Sequence, residues 1–165
     1  MENRDLSGMK VNPYAKKKAP EPKYNTRVQY DFLSYLRLVM RWAFSNHDLT
    51  KPEIELMLYL YGEGNFSQRQ FSDYYRTLGL YQIKGFTKFK EDGWIKQFRA
   101  RSGKQCALYS LTSKGLRLCS RMHKMCTGEE PIPVMKKTNK MAESKKVIDK
   151  HYLTAIKRMN RRSKE

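Results

Sequence analysis

Cys119, His123 and Cys126 stand at i, i+4 and i+7, a spacing that lines two thiols and an imidazole along one face of a helix, where they could hold a metal or sense redox state. A structural zinc site needs four ligands, and only Cys106 could complete this one. The plainer reading, small thiols packing as apolar residues beside Leu116, Met122 and Met125, is preferred. His47, His123 and His151 are scattered, no serine or cysteine occupies a nucleophile motif, and no glycine-rich phosphate loop follows a strand signal. The expectation is therefore no enzyme, no metal and no cofactor. The chemistry that remains is that of cations against phosphate.

Between Ile83 and Lys104 there are seven basic residues (Lys84, Lys88, Lys90, Lys96, Arg99, Arg101, Lys104) against Glu91 and Asp92. The whole chain of 165 residues carries 34 Lys and Arg against 16 Asp and Glu, a formal charge of +18. A charge of that size repels itself unless a polyanion lies against it, so nucleic acid is the leading partner. The tails carry +4 (1–27) and +8 (135–165), leaving +6 for the centre, of which the Ile83 to Lys104 stretch holds five. No apolar run approaches the ~18 residues of a membrane span, and Met1-Glu2-Asn3-Arg4-Asp5 has no signal-peptide character. A soluble intracellular protein without a membrane partner is expected. An odd number of cysteines, three, points to a reducing compartment.

Something must position these cations. Residues 1–27 contain Pro13, Pro20 and Pro22 among Lys16, Lys17 and Lys18 and read as a flexible basic arm that adds polyanion contacts. A first helix from about Val28 to Phe44 carries two apolar stripes: Leu33, Leu36, Met40 and Phe44, and Phe32, Tyr35, Val39 and Trp42. Two stripes need two covering surfaces. The second stripe is assigned to a dimer interface, the alternative being that the C-terminal segment folds back over it. Thr50 and Glu53, with Pro52 between them, form a capping box for a second, nearly all-apolar helix ending near Gly62. Ser67 caps a third through Tyr75, with Phe71, Tyr74, Tyr75 and Leu78 as core candidates.

Gly79 then suits a turn, and a fourth helix is predicted from near Tyr81 to a glycine cap at Gly93. It turns Ile83 and Phe86 inward and Gln82, Lys84, Gly85, Lys88 and Glu91 outward. An exposed helix of this kind fits a major groove, with Tyr81, Gln82, Lys84 and Lys88 as contacts to bases or phosphates. Gly85 marks either close approach to the duplex or a locally weak helix held by packing. Ile95 to Arg101 and Cys106 to Leu111 read as strands joined at Ser102-Gly103-Lys104, with Arg99, Arg101 and Lys104 at the tip for phosphate contact. A helix from Ser113 to Cys126 follows, then a linker over 128–139 holding Pro131 and Pro133. Residues 140–165 are a basic amphipathic helix and tail: Met141, Ile148, Tyr152, Ala155, Ile156 and Met159 recur at helical spacing, and Lys145, Lys146, Lys150, Lys157, Arg158, Arg161 and Arg162 face a polyanion.

The fold class is thus mainly α with a small β-hairpin wing: a winged helix-turn-helix core over 28–127 between a basic N-terminal arm and a basic C-terminal helix. The passage Phe89-Lys90-Glu91-Asp92-Gly93-Trp94-Ile95, the Leu78-Gly79-Leu80 turn and Tyr109-Ser110-Leu111-Thr112-Ser113-Lys114-Gly115 leading into a helix resemble the MarR family of bacterial winged-helix regulators over about Val28 to Cys126. The resemblance implies a homodimer that binds double-stranded DNA at a palindromic site, in a bacterial or phage-encoded, nucleoid-associated cytoplasmic setting. This sequence departs from the family in its short Arg101-Ser102-Gly103-Lys104 tip and in the Gly128, Pro131 and Pro133 break, where the family continues into its dimer interface. The alternative is a structural component of a nucleoid, virion or ribonucleoprotein assembly, with RNA or a larger nucleoprotein as partner. The charge of the two tails favours it.

Overall fold

The computed structural model describes residues 32–80 and 83–162. It is a mainly helical core with a small antiparallel sheet. The order is α1 (Phe32–Asn46), α2 (Lys51–Glu63), β1 (Asn65–Phe66), α3 (Gln68–Thr77), α4 (Phe86–Glu91), β2 (Ile95–Arg99), β3 (Leu108–Leu111), α5 (Ser113–Cys126) and α6 (Val147–Arg162). No described helix is long and apolar enough to cross a membrane.

α2 begins where its cap requires. Glu53 Oε2 accepts the Thr50 N–H at 2.6 Å, and Pro52 sits in the first turn, where its missing N–H costs nothing. Ile54, Leu56, Met57 and Leu60 are fully buried, so α2 is the helix around which the others pack. At α3, the Ser67 N–H donates to Gln70 Oε1 at 2.8 Å and Ser67 Oγ accepts the Gln70 N–H at 3.2 Å. Phe71 is buried as expected, but Leu78 is exposed and Leu80 takes the inward place. The break after α2 holds an unanticipated strand: β1 pairs with β3 (Asn65↔Ser110, Phe66↔Tyr109), giving the order β1-β3-β2. Two residues are too short for alternation to show in a sequence, yet they complete the free edge of β3 and bury Phe66. α5 starts hard against this core. A Cβ on Gly115 would meet Met57 Cε at 3.1 Å and the Trp94 carbonyl oxygen at 3.2 Å, so any side chain there would push these neighbours aside and glycine best suits the close approach.

α1 is covered on both sides by its own chain. Val39 is fully buried, Trp42 nearly so and Tyr35 buried, packed among α2, α5, α6 and the turns before α6. This corrects the assignment of Tyr35, Val39 and Trp42 to a dimer interface; of that stripe only Phe32 is exposed, beside Leu33 on the other stripe. Trp42 shows what replaced the partner: its Nε1–H donates to the Thr138 carbonyl at 3.3 Å, and the Arg121 guanidinium lies over its ring at 5.2 Å.

The segment expected to be a linker is part of the core, and the last helix starts later than expected, at Val147 rather than near Lys140. Short 3-10 turns at Lys136–Thr138 and Lys140–Ala142 precede it. Ile132, Asn139 and Met141 are buried. Asn139 accepts the Met141 N–H at 3.0 Å and donates to the Pro133 carbonyl at 2.7 Å, which satisfies a backbone that forms no regular helix. Asn160 brackets Ile132, accepting its N–H at 3.1 Å and donating to its carbonyl at 2.8 Å. Asp149 falls in the first turn of α6, where a carboxylate complements the helix dipole. It also pairs with Arg41 of α1, whose guanidinium lies 5.4 Å from the Tyr152 ring centre.

Burial pushes the Asp149 carboxyl up, but hydrogen bonds from Ser144 and Arg41 outweigh it and hold the group below its ordinary value. A carboxyl with a depressed folded value stabilises the fold above its unfolded value and loses that contribution as pH falls through the folded one. Asp149→Ala should leave the part-buried Arg41 without its carboxylate and lower stability at neutral pH by about 1–3 kcal/mol. Urea denaturation should show the difference from the parent protein shrinking below the ordinary carboxylate range.

Candidate nucleic-acid interface

α4 was expected from near Tyr81, but Ile83 to Gly85 precede it and the helix is six residues long. Gly85 is its N-cap at φ −65°, ψ 164°. The reason lies in two carboxylates that a local pattern does not reveal. Glu53, almost wholly buried, accepts the Lys84 N–H at 2.9 Å, which ties this backbone to the start of α2. Lys84 Nζ then reaches Asp92 Oδ2 at 3.0 Å and the Asp48 carbonyl at 3.0 Å. Lys84 therefore does not project beside Lys88 from an outer helical face. Gly85 needs no special φ, and nothing lies within 4 Å of where its Cβ would be, so the helix-weakening reading does not apply at this cap. Lys88 is exposed but lies 3.3 Å from Asp92 Oδ1 and 3.7 Å from Glu91 Oε2. Two of the expected contact lysines thus share a carboxylate. Tyr81, Gln82 and the arm lysines Lys16, Lys17 and Lys18 lie outside the described residues.

Aromatic packing anchors the short helix. Phe89 is fully buried, and the Phe71 ring stands edge-on to Phe86 at 5.3 Å and to Phe89 at 5.6 Å. Phe86 meets Tyr109 of β3 at 4.7 Å, joining α4 to the sheet. Gly93, at φ +73°, then turns the chain out of the helix, and the Trp94 N–H donates back to the Phe89 carbonyl at 2.9 Å. The base of the hairpin is clamped: Thr112 Oγ1 donates to the Gly93 carbonyl at 2.7 Å, and Lys114 Nζ lies 3.8 Å from the Trp94 ring centre.

β2 and β3 extend from this base, paired Ile95↔Leu111, Lys96↔Ser110 and Gln97↔Tyr109. The second strand starts at Leu108 and not at Cys106. Beyond it the hairpin narrows to an isolated bridge at the tip, where the Gln105 N–H donates to the Ser102 carbonyl at 2.9 Å. Lys96, Arg99, Arg101 and Lys104 are all exposed, and none forms an ion pair with a described residue. The local field therefore differs between the two halves of the basic stretch: acids of the same stretch and of Asp48 counter the helix entry, whereas the hairpin cations face solvent uncompensated. Lys145, Lys146, Arg158 and Arg161 are exposed as well, and Arg162 ends α6. Sequence reasoning missed Glu53 and Asp92, which hold Lys84, and Phe98, an exposed aromatic among the hairpin cations. Strand alternation was the available signal for Phe98, because it puts that residue opposite in sense to the buried Ile95.

Cys119 and Cys126 lie in the core, where burial pushes their thiols up to about 12 and about 11. Cys119 Sγ donates to the Met57 carbonyl at 3.6 Å. Cys106 is exposed on the hairpin. Among the described residues no three His, Cys, Asp or Glu side chains are grouped to hold a metal ion. His123, on the same helical face by spacing, is exposed and lies 5.4 Å from the Tyr61 ring. His47 lies edge-on between Trp42 and Trp94, at 5.8 and 6.1 Å, and burial with Lys114, Lys140 and Arg121 nearby holds its imidazole below the ordinary value.

Comparison of the chain with protein-family models, with curated proteins and with solved structures found no match.

The hydrogen bond to Asp92 raises Lys84 above its ordinary value despite its desolvation, and the same bond holds Asp92 below its own. The pair thus contributes stability across the neutral range. That contribution is lost as pH falls through the depressed Asp92 value or rises through the raised Lys84 value. Lys84→Ala should lower the thermal midpoint while leaving affinity for nucleic acid unchanged within error, measured by calorimetry and by fluorescence anisotropy. In the native protein at neutral pH, iodoacetamide should alkylate Cys106 alone, and mass spectrometry should find Cys119 and Cys126 modified only after unfolding.

Proposed function

We propose that the protein binds duplex DNA through the β2–β3 hairpin and the exposed side of α4, with phosphate contacts supplying most of the affinity. The observation that carries this reading is the contrast within the basic stretch: Lys96, Arg99, Arg101 and Lys104 stand exposed without ion pairs to described residues, while Lys84 is turned inward. Cations held free of carboxylates on a clamped hairpin are available to displace counterions from a phosphate backbone. The order α2, α3, α4, hairpin supports a winged helix-turn-helix arrangement. The exposed lysines and arginines of α6 add a second set of charges suited to the same polymer. This combination suits a structural nucleic-acid-binding component of a nucleoprotein assembly.

A second reading, a MarR-like homodimeric transcriptional regulator, draws on the same element order and on exposed Thr87, Lys88 and Lys90 of α4. Against it stand the six-residue helix, under two turns at ~3.6 residues per turn, and the long Leu78 to Gly85 connection.

Binding to random and selected duplexes across a salt series separates the two. The structural reading expects a steep dependence of log K on log salt with little preference among duplexes, and Arg99→Ala, Arg101→Ala and Lys104→Ala together should make the slope shallower by about 2 to 3. An unchanged slope would remove the hairpin from the interface. A selected duplex bound more tightly than random DNA by a factor of about 10³ or more would establish the regulator instead.

A further inference from the structure

The hairpin carries a side chain that phosphate binding does not explain. Phe98 is 61% exposed, against 48% for Phe32 and 44% for Tyr59. The pairing register slips between Gln97, opposite Tyr109, and Arg99, opposite Leu108, which leaves Phe98 as the extra residue of a bulge. Bulges re-aim a side chain and recur where a strand does something other than pair. After the buried Ile95 every residue of β2 is exposed, so Phe98 stands in solvent between Lys96 and Arg99 along the strand, with Lys96 opposite Ser110.

β2 is also an edge strand, and an edge is protected from pairing with another chain by charges and bulges. That need accounts for Lys96, Arg99 and the bulge. It does not account for Phe98, since an exposed aromatic on an edge works against protection. A flat ring between cations is, however, the arrangement by which proteins hold unpaired nucleotides: the cations take the phosphates and the ring takes the face of a base. Insertion between the stacked bases of an intact duplex is less well served. A wedge needs to project from the hairpin end, and the residues there are Ser102, Gly103 and Lys104, while Phe98 lies back along the strand.

We infer that Phe98, flanked by Lys96 and Arg99, is a stacking site for an unpaired nucleobase, so that the hairpin favours single-stranded or locally opened nucleic acid over fully paired duplex. The inference rests on the nucleic-acid-binding reading above. It extends that reading from the paired duplex, held by the hairpin cations, to sites where a base is unpaired and binding is tighter.

The full-length protein would be titrated with three DNA probes carrying 2-aminopurine at one position: a single strand, a duplex with a single-nucleotide gap opposite the probe base, and the fully paired duplex. A single-stranded RNA run in parallel tells whether the site also accepts ribose, and preference for either sugar supports the site. The parent protein should bind the gapped duplex more tightly than the paired one and quench 2-aminopurine fluorescence through stacking. Phe98→Ala should weaken binding to the single strand and the gapped duplex by about 5- to 150-fold and abolish the quenching, with paired-duplex affinity unchanged. Phe98→Trp should restore both, and because Phe98 is exposed the thermal midpoint of each variant should match the parent. The inference is overturned if Phe98→Ala leaves all affinities unchanged, or weakens paired and gapped duplexes alike. Salt-dependent binding to all probes without a Phe98 effect would refute the stacking site alone, whereas no binding to any probe would refute the nucleic-acid reading itself.

Discussion

A single buried carboxylate links the core to the basic surface. Glu53 cannot lose its hydration without replacing it, and both of its oxygens find backbone donors, one at Thr50 and the other at Lys84, 31 positions further along the chain. The first contact starts α2. The second holds the chain extended just before Phe86, which is why α4 begins there and not at Ile83. Lys84, drawn in by its own amide, then meets Asp48 and Asp92. Leaving those two N–H groups without acceptors would cost about 1–3 kcal/mol each, more than the propensity differences of a few residues that would extend the helix.

From that constraint follows the distribution of charge. Helix entry and helix end share Asp92, so the lysines there hold the fold and are partly neutralised. The hairpin escapes this because its base is fixed by Trp94, Thr112 and Gly115 with Lys114 over the Trp94 ring, and its tip by a backbone bridge, none of which uses a cation of the hairpin itself. Its cations are left over from folding and free for a partner.

The segment after α5 shows a similar economy. A helix with two apolar stripes needs more than one covering surface, and beside α2 and α5 residues 128–162 add theirs with Ile132, Met141 and Ile156, fastened by Asn139, Asn160 and the Arg41–Asp149 pair. Side-chain amides satisfying irregular backbone make a folded connection from residues whose prolines and glycine suggested a spacer. Lys150, Lys157, Arg158 and Arg161 of α6 remain outward because Asp149 and Ile156 turn inward.

Local signals were legible wherever a few neighbouring residues decide the outcome. The capping box at Thr50, the cap at Ser67 and the span of α5 stand as expected, as does the hairpin after Gly93, and the burial of Phe71 follows from spacing. What spacing leaves open is which surface covers a buried stripe, as at Trp42, and whether a charged residue meets solvent or a distant carboxylate, as at Lys84. The chain's charge, its helical content and the place of the basic hairpin are properties of composition and short-range periodicity, and the sequence by itself determined them. Where α4 starts, which cations are free, what covers α1 and that Phe98 stands out on a bulge were decided by contacts between residues tens of positions apart. Only the tertiary structure brings those residues together, because hydrogen bonding of a buried group is set by what lies near it in space.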